Sequence, residues 1–217
     1  MLATDTRKVL SYINANDDLK YYFNYYMNYN ISYDNPYHNM SHTIKVLNNI
    51  INISEEMKID NFNLYCLILS GIFHDFNHSG GRFSDSVNIH NAKAGLSDCV
   101  LNYKKGEENI SVIVNECFSI IDATKWPYEK KISELSLNQK IMRESDILVL
   151  FYDDLSSIMF MLKSELRQHD NSEVIKNEIM YIKNIFNELE LDYSKRLIGE
   201  YQGELYDIID GFINIIK

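Results

Sequence analysis

Leu64-Tyr65-Cys66-Leu67-Ile68-Leu69-Ser70-Gly71-Ile72-Phe73 runs apolar through residues 64–73 and stops at His74-Asp75. At about 3.6 residues per turn, this is a helix apolar around most of its circumference, the buried centre expected of an all-α fold. The carboxylate at its end needs a partner. An unpaired interior Asp costs several kcal/mol or neutralises, whereas a divalent cation accepts an ionised carboxylate and neutral imidazoles together.

Upstream lies Tyr37-His38-Asn39-Met40-Ser41-His42, and beyond Asp75 the chain continues Phe76-Asn77-His78-Ser79-Gly80-Gly81-Arg82. Four of the six histidines fall in these stretches, His38 and His42 four residues apart and His74 and His78 likewise. Side chains at that spacing share a face wherever the segment is helical, and two such faces can close on a metal. Gly80 and Gly81 let the backbone approach a ligand closely, which puts their loop at the mouth of a site. Asn88, in the next helix, carries an amide able to bond a phosphate or a metal-held water. Asp146, just before Ile147-Leu148-Val149-Leu150, is a second carboxylate on the shoulder of a buried helix. His90 reads as a surface or packing residue and His169 as a solvated one in a polar turn.

The chain of 217 residues has two prolines and eight glycines, which suits one compact helical domain over residues 1–217 joined by short polar loops. A net charge of −10 argues against a long nucleic acid, whose phosphates need clustered Lys and Arg. A small anion remains compatible, because a metal centre supplies local positive charge. Cys66, Cys99 and Cys117 lie in apolar stretches without Cys-x-x-Cys spacing and read as buried free thiols. With no signal-like leader and no uncharged apolar run of about eighteen residues, the expectation is a cytoplasmic protein that does not enter a membrane.

The periodicity predicts helices before and after Asn14-Ala15-Asn16, the second an aromatic stripe that belongs to the core, then a turn at residues 32–36. The next helix carries His38 or His42 near its beginning and runs through Ile53. Further helices follow over residues 86–103, capped by Ser84 or Asp85, over 110–124, and within 135–150. An exposed turn is expected at 104–108. Residues 153–217 read as two or three amphipathic helices with charged outer faces, broken near residues 168–171 and near Gly199.

The ordered set Tyr37-His38-Asn39-x-x-His42, His74-Asp75-x-x-His78-x-Gly80 and a distant Asp146 resembles the HD-domain metal-dependent phosphohydrolases. Within them it looks most like the catalytic domain of class I cyclic nucleotide phosphodiesterases, over roughly residues 35–150. The resemblance implies a compact HD/phosphodiesterase-like helical bundle. It implies that His42, His74, Asp75 and Asp146 ligate a first metal, commonly zinc, and that Asp75 bridges to a second, harder one such as magnesium or manganese. His38 takes the general-acid position, and His78 orients waters of the second metal or lines the phosphate pocket. Tyr37, Arg82, Asn88 and Thr124 are the expected substrate-binding residues, Arg82 through a planar fork suited to phosphate.

The chain departs from the family in its base clamp. Phosphodiesterases grip the purine with a late Gln followed three residues on by Phe, and neither Gln168 nor Gln202 has that Phe. Lys125 stands where those enzymes usually carry an Asp. The expected function is hydrolysis of a phosphodiester in a small nucleotide, a 3′,5′-cyclic nucleotide or a cyclic oligonucleotide signal, by a metal-bridging hydroxide with His38 protonating the leaving oxygen. Two other readings stand beside it. One is a nucleotide phosphohydrolase acting on a 5′-phosphate, a triphosphate or a guanosine alarmone, and the other a module that sequesters a nucleotide without turnover.

Overall fold

The computed structural model of the protein describes residues 4–104, 109–152, 155–167 and 188–199, with isolated positions 184 and 203. Every regular element among the described residues is helical, as the periodicity requires. The turn expected at residues 104–108 and the break expected near residues 168–171, with His169, fall on residues 105–108 and 168–171, which lie outside the described residues.

The α-helices named below, among the described residues, are α1 Thr6–Asn14, α2 Asp17–Tyr29, α3 Met40–Met57, α4 Asn61–Phe73, α5 Asp85–Tyr103, α6 Ile110–Asp122, α7 Leu137–Ile147 and α8 Leu155–Arg167. Short 3₁₀ turns lie at Ser32–Asp34, Ile132–Glu134 and Leu148–Phe151. Residues 192–199 are also helical. No helix among the described residues is long and apolar enough to cross a membrane.

Local chemistry sets the starts. Asn16, Asn39 and Asp60 each turn a side-chain oxygen onto the first free N–H groups of α2, α3 and α4, satisfying donors that have no partner within the helix. Ser136 and Gln139 close a reciprocal capping box on α7. The end of α3 is a left-handed Lys58 at φ 55°.

Helix α4 is the centre. Cys66 through Phe73 are all buried, and α2, α3, α5, α6 and α7 pack around it. Burying each large apolar side chain here contributes about 1.5–3 kcal/mol relative to exposure, so the run pins the axis on which His74 and Asp75 stand. The close packing has a specific requirement on α5: a Cβ at Gly95 would lie 2.3 Å from the ring of Phe76. The aromatic stripe is core only on one face, with Tyr22 and Tyr26 buried but Tyr21, Met27 and Tyr29 exposed. The three cysteines are free and buried.

Several boundaries differ from the sequence reading. Helix α3 starts at Met40, so His38 precedes it, and α4 stops at Phe73 with His74 as its cap, so His78 lies in the following loop. Neither histidine pair shares a helical face; Asn39 and the αR cap His74 end the helical register between the members of each pair. Helix α3 runs four residues past Ile53, to Met57. Ser84 makes no side-chain cap bond to α5, and the Asp85 carboxylate turns instead to the Trp126 N–H at 2.5 Å.

Two buried polar links join α7 to distant segments. Asn49 of α3 donates to the Ser145 carbonyl and accepts from the Tyr152 hydroxyl, fixing the backbone beside Asp146. The Glu144 carboxylate, fully buried, accepts the backbone N–H groups of Glu190 and Leu191 and so docks residues 189–191.

Candidate metal centre and cavity

His42 in the first turn of α3, His74 and Asp75 at the end of α4, and Asp146 in the last turn of α7 meet at one point. His42 Nε2 lies 3.2 Å from His74 Nε2, 3.2 Å from Asp75 Oδ2 and 3.1 Å from Asp146 Oδ1, and His74 Nε2 lies 3.1 Å from Asp75 Oδ2. Ligands about 2.0–2.1 Å from a zinc-sized ion stand roughly 3.3 Å apart around a tetrahedron, so these separations are coordination edges to within a few tenths of an ångström.

The protonation pattern points the same way. His74 Nδ1 donates to the Gly71 carbonyl at 2.8 Å, which in the neutral ring leaves a lone pair on Nε2. That lone pair faces a carboxylate oxygen and a second imidazole nitrogen. Asp75 Oδ2 and His42 Nδ1 are buried with no hydrogen-bond partner. Buried polar atoms are nearly always satisfied, and a cation at the centre would satisfy Asp75 Oδ2 and both Nε2 atoms at once. His42 also lines, with Lys45 and Met161, a second cavity of about 90 Å³, large enough to hold water. The field is negative: burial lowers the His74 pKa, yet Asp75 outweighs it and raises it to about 9. A field that favours a charged imidazole will also hold a cation.

His38, Asp75 and His78 form a second group of converging donor atoms, within 4.8 Å of one another. The two imidazoles stack with ring centroids 3.9 Å apart. Their electrostatics are opposite. Burial lowers the His38 pKa, but the Glu165 and Asp75 carboxylates override it and raise it to about 10. His78, desolvated and next to a protonated His38, falls to about 3. His78 is also enclosed by donors, with the Gly80 N–H 3.2 Å from Nδ1 and the Asn88 amide nitrogen 2.9 Å from Nε2. A neutral ring accepts at one nitrogen only, so His78 is better suited to packing against His38 than to ligation. Asp75 is held well below the usual carboxylate range, since His74 and His38 outweigh its burial.

Glu165 is the residue that sequence reasoning missed. It is fully buried on α8; Oε1 lies 2.5 Å from His38 Nδ1, and Oε2 accepts the backbone N–H groups of Tyr37 at 2.8 Å and His38 at 3.0 Å. Burial would raise its pKa, but His38 and these bonds hold it at about 2. The carboxylate therefore fixes both the position and the tautomer of His38, leaving Nε2 as the atom not so engaged. The signal was in the spacing: Ile158, Leu162 and Glu165 fall on one buried face, where an acid is out of place without a partner.

His38, His74, Asp75, His78 and Asp146 open into a cavity of about 680 Å³, within the range of small-molecule sites. Tyr37, His38, His74, Asp75, His78 and Asp146 line one part of it, and Arg82, Asn88, Thr124 and the segment 125–129 line the rest. Gly80 and Gly81 take φ 62° and 78°, which is why glycines occupy this turn. A Cβ at Gly80 would lie 2.8 Å from Asn35 Oδ1.

The expected substrate-binding residues divide. Arg82 is exposed and lines the cavity, and its side chain pairs with no described residue. Tyr37 lines the cavity with its backbone tied to Glu165. Asn88 is committed elsewhere: its oxygen accepts the Ser79 N–H and its nitrogen bonds His78 and Asp85, so it braces the site and has no free group for a phosphate. The Thr124 hydroxyl is likewise spent on the Ile121 carbonyl at 2.9 Å, though the residue lines the cavity. His90 is exposed on α5.

No family model, curated protein or solved structure matches this chain.

Proposed function

We propose that the protein is a metal-dependent phosphohydrolase that cleaves a phosphodiester in a small nucleotide, a 3′,5′-cyclic nucleotide or a cyclic oligonucleotide signal. The observation that carries this reading is the convergence of His42, His74, Asp75 and Asp146, with separations of 3.1–3.2 Å, at a cavity that His74, Asp75 and Asp146 share with a histidine charged by a buried carboxylate. The motif resemblance to HD-domain phosphodiesterases, carried by the same residues, agrees with it.

His42, His74, Asp75 and Asp146 would hold the first divalent ion, zinc or manganese, and Asp75 would share a second with magnesium or manganese character. Such ions lower the pKa of bound water towards 7 and neutralise phosphoryl oxygens. The chain's own residues do the rest. His38 holds a proton at neutral pH because Glu165 stabilises its charged form, and delivers it to the leaving oxygen as the P–O bond breaks, a contribution of about 10²–10⁴-fold. His78 packs against the His38 ring and fixes its plane. Arg82 at the rim is a bidentate donor for a non-bridging phosphate oxygen.

The test is a substrate panel with Mn²⁺ or Zn²⁺. Cyclic mononucleotides and cyclic dinucleotides are expected to be opened. Release of phosphate or pyrophosphate from linear nucleotides alone would replace this reading with the nucleotidase one, and stoichiometric binding without turnover would replace it with sequestration.

A further inference from the structure

We infer that Trp126 is the platform on which the base of the substrate stacks, held for that purpose by a buried arginine; this rests on the nucleotide reading above. The cavity has two kinds of wall. Its polar end is the histidine and carboxylate cluster, and opposite in character is Trp126-Pro127-Tyr128, continued by Ile147, Leu150 and Leu162. Hydrolysis at phosphorus uses only the first. The second wall is large, aromatic and unaccounted for by the chemistry.

This wall is an irregular loop, yet it is clamped like a core element. Arg143, only 3 % exposed, donates from Nε to the Ala123 carbonyl at 2.6 Å and from Nη1 to the Lys130 carbonyl at 2.7 Å. It thus ties together the two feet of the segment that carries Trp126. Its guanidinium also lies 4.0 Å from the Tyr128 ring centroid, covering a face of that ring. The Trp126 N–H is held by Asp85, and the indole meets Tyr128 at 83° with centroids 5.6 Å apart. Burying a guanidinium is costly unless its donors are satisfied, and here Nε and one Nη1 donor are spent on fixing the loop.

The other aromatic side chains of the cavity are less suited. Tyr37 stands edge-on to His38, with centroids 4.8 Å apart at 89°, and closes the polar end. Phe83 is 62 % exposed on the glycine loop. Tyr128 is already stacked by Arg143. Trp126 is half-buried, lines the cavity and is fixed through its own backbone. Stacking on an indole accepts any base, because every base has a π-face.

The experiment compares wild-type, Trp126→Ala and Trp126→Phe on the cyclic mononucleotide cleaved best and on ribose 3′,5′-cyclic phosphate, which lacks the base, read as KM or, where uncleaved, Ki. Trp126→Ala is expected to raise KM for the nucleotide about 5- to 100-fold with kcat nearly unchanged, and to leave the abasic constant unmoved. Trp126→Phe should recover most of the loss. An unchanged nucleotide KM, or an equal shift for the abasic compound, overturns the assignment while leaving the nucleotide reading intact. A wild-type enzyme that opens no nucleotide overturns both.

Discussion

His42 and His74 on one side, His38 and His78 on the other, are four copies of one side chain placed by two i,i+4 spacings, and the protein uses them in opposite ways. His42 and His74 sit on helix ends against the core, 3 % and 2 % exposed, with their Nε2 atoms turned to carboxylates. His38 and His78 sit just outside the helices, stacked on each other and tied to Glu165 and Asn88. Within that second pair the pKa values move apart, to about 10 and about 3. The histidines that meet are not the i,i+4 partners but one from each pair, and the neighbour of each ring decides its charge and its contacts.

The largest expected effect removes the group that the two pairs share. Asp75→Ala should abolish metal content, by elemental analysis, and turnover together; full activity in that variant would remove the two-metal scheme. Next, His38→Ala should lower kcat by about 10²–10⁴-fold while metal content stays at the wild-type level. Loss of metal there would merge the two pairs into one ligand set.

Glu165→Gln sharpens the contrast through pH. In the wild type the carboxylate raises the His38 pKa, so the protonated acid persists as pH rises until that pKa is passed. A cation on Asp75 removes part of the support, which leaves Glu165 as the main remaining source. Without its charge the alkaline limb of the kcat profile should move to lower pH, and an unshifted limb would mean that His38 is not the acid. The smallest effect is expected for Asn88→Ala, which frees His78 and loosens the stack: a fall in kcat of about three- to tenfold, with the pH limb unmoved. A rise in KM at constant kcat would instead return Asn88 to the substrate.

The helical fold was legible because periodicity is a short-range rule: the apolar run to Phe73 forces a buried helix, and a carboxylate at the end of it needs a partner. The meeting of His42, His74, Asp75 and Asp146 was expected from the motif resemblance, since no local rule joins α3, α4 and α7. Glu165 was not legible, being 127 positions from His38 in a segment whose many charges read as a solvated face. Its buried register with Ile158 and Leu162 was the only local hint. Arg143 was overlooked and Asp85 was read only as a candidate helix cap for a related reason: their partners include backbone groups of a loop, and a pattern of side chains does not encode these. The shared face, expected only where both members of a pair lie in one helix, does not form, since periodicity reports spacing but not where Asn39 and His74 end the helices.

The Glu144 carboxylate has a consequence for how far the centre extends. It sits two residues before Asp146, and the donors it accepts are backbone groups of residues 190 and 191. Burial already raises its pKa, so without those donors it would be an interior charge with little to compensate it. Proteolytic trimming before residue 188 would therefore not be a peripheral loss: it would unsettle the last turn of α7 and with it Asp146, making residues 190 and 191 a remote guardian of the candidate centre.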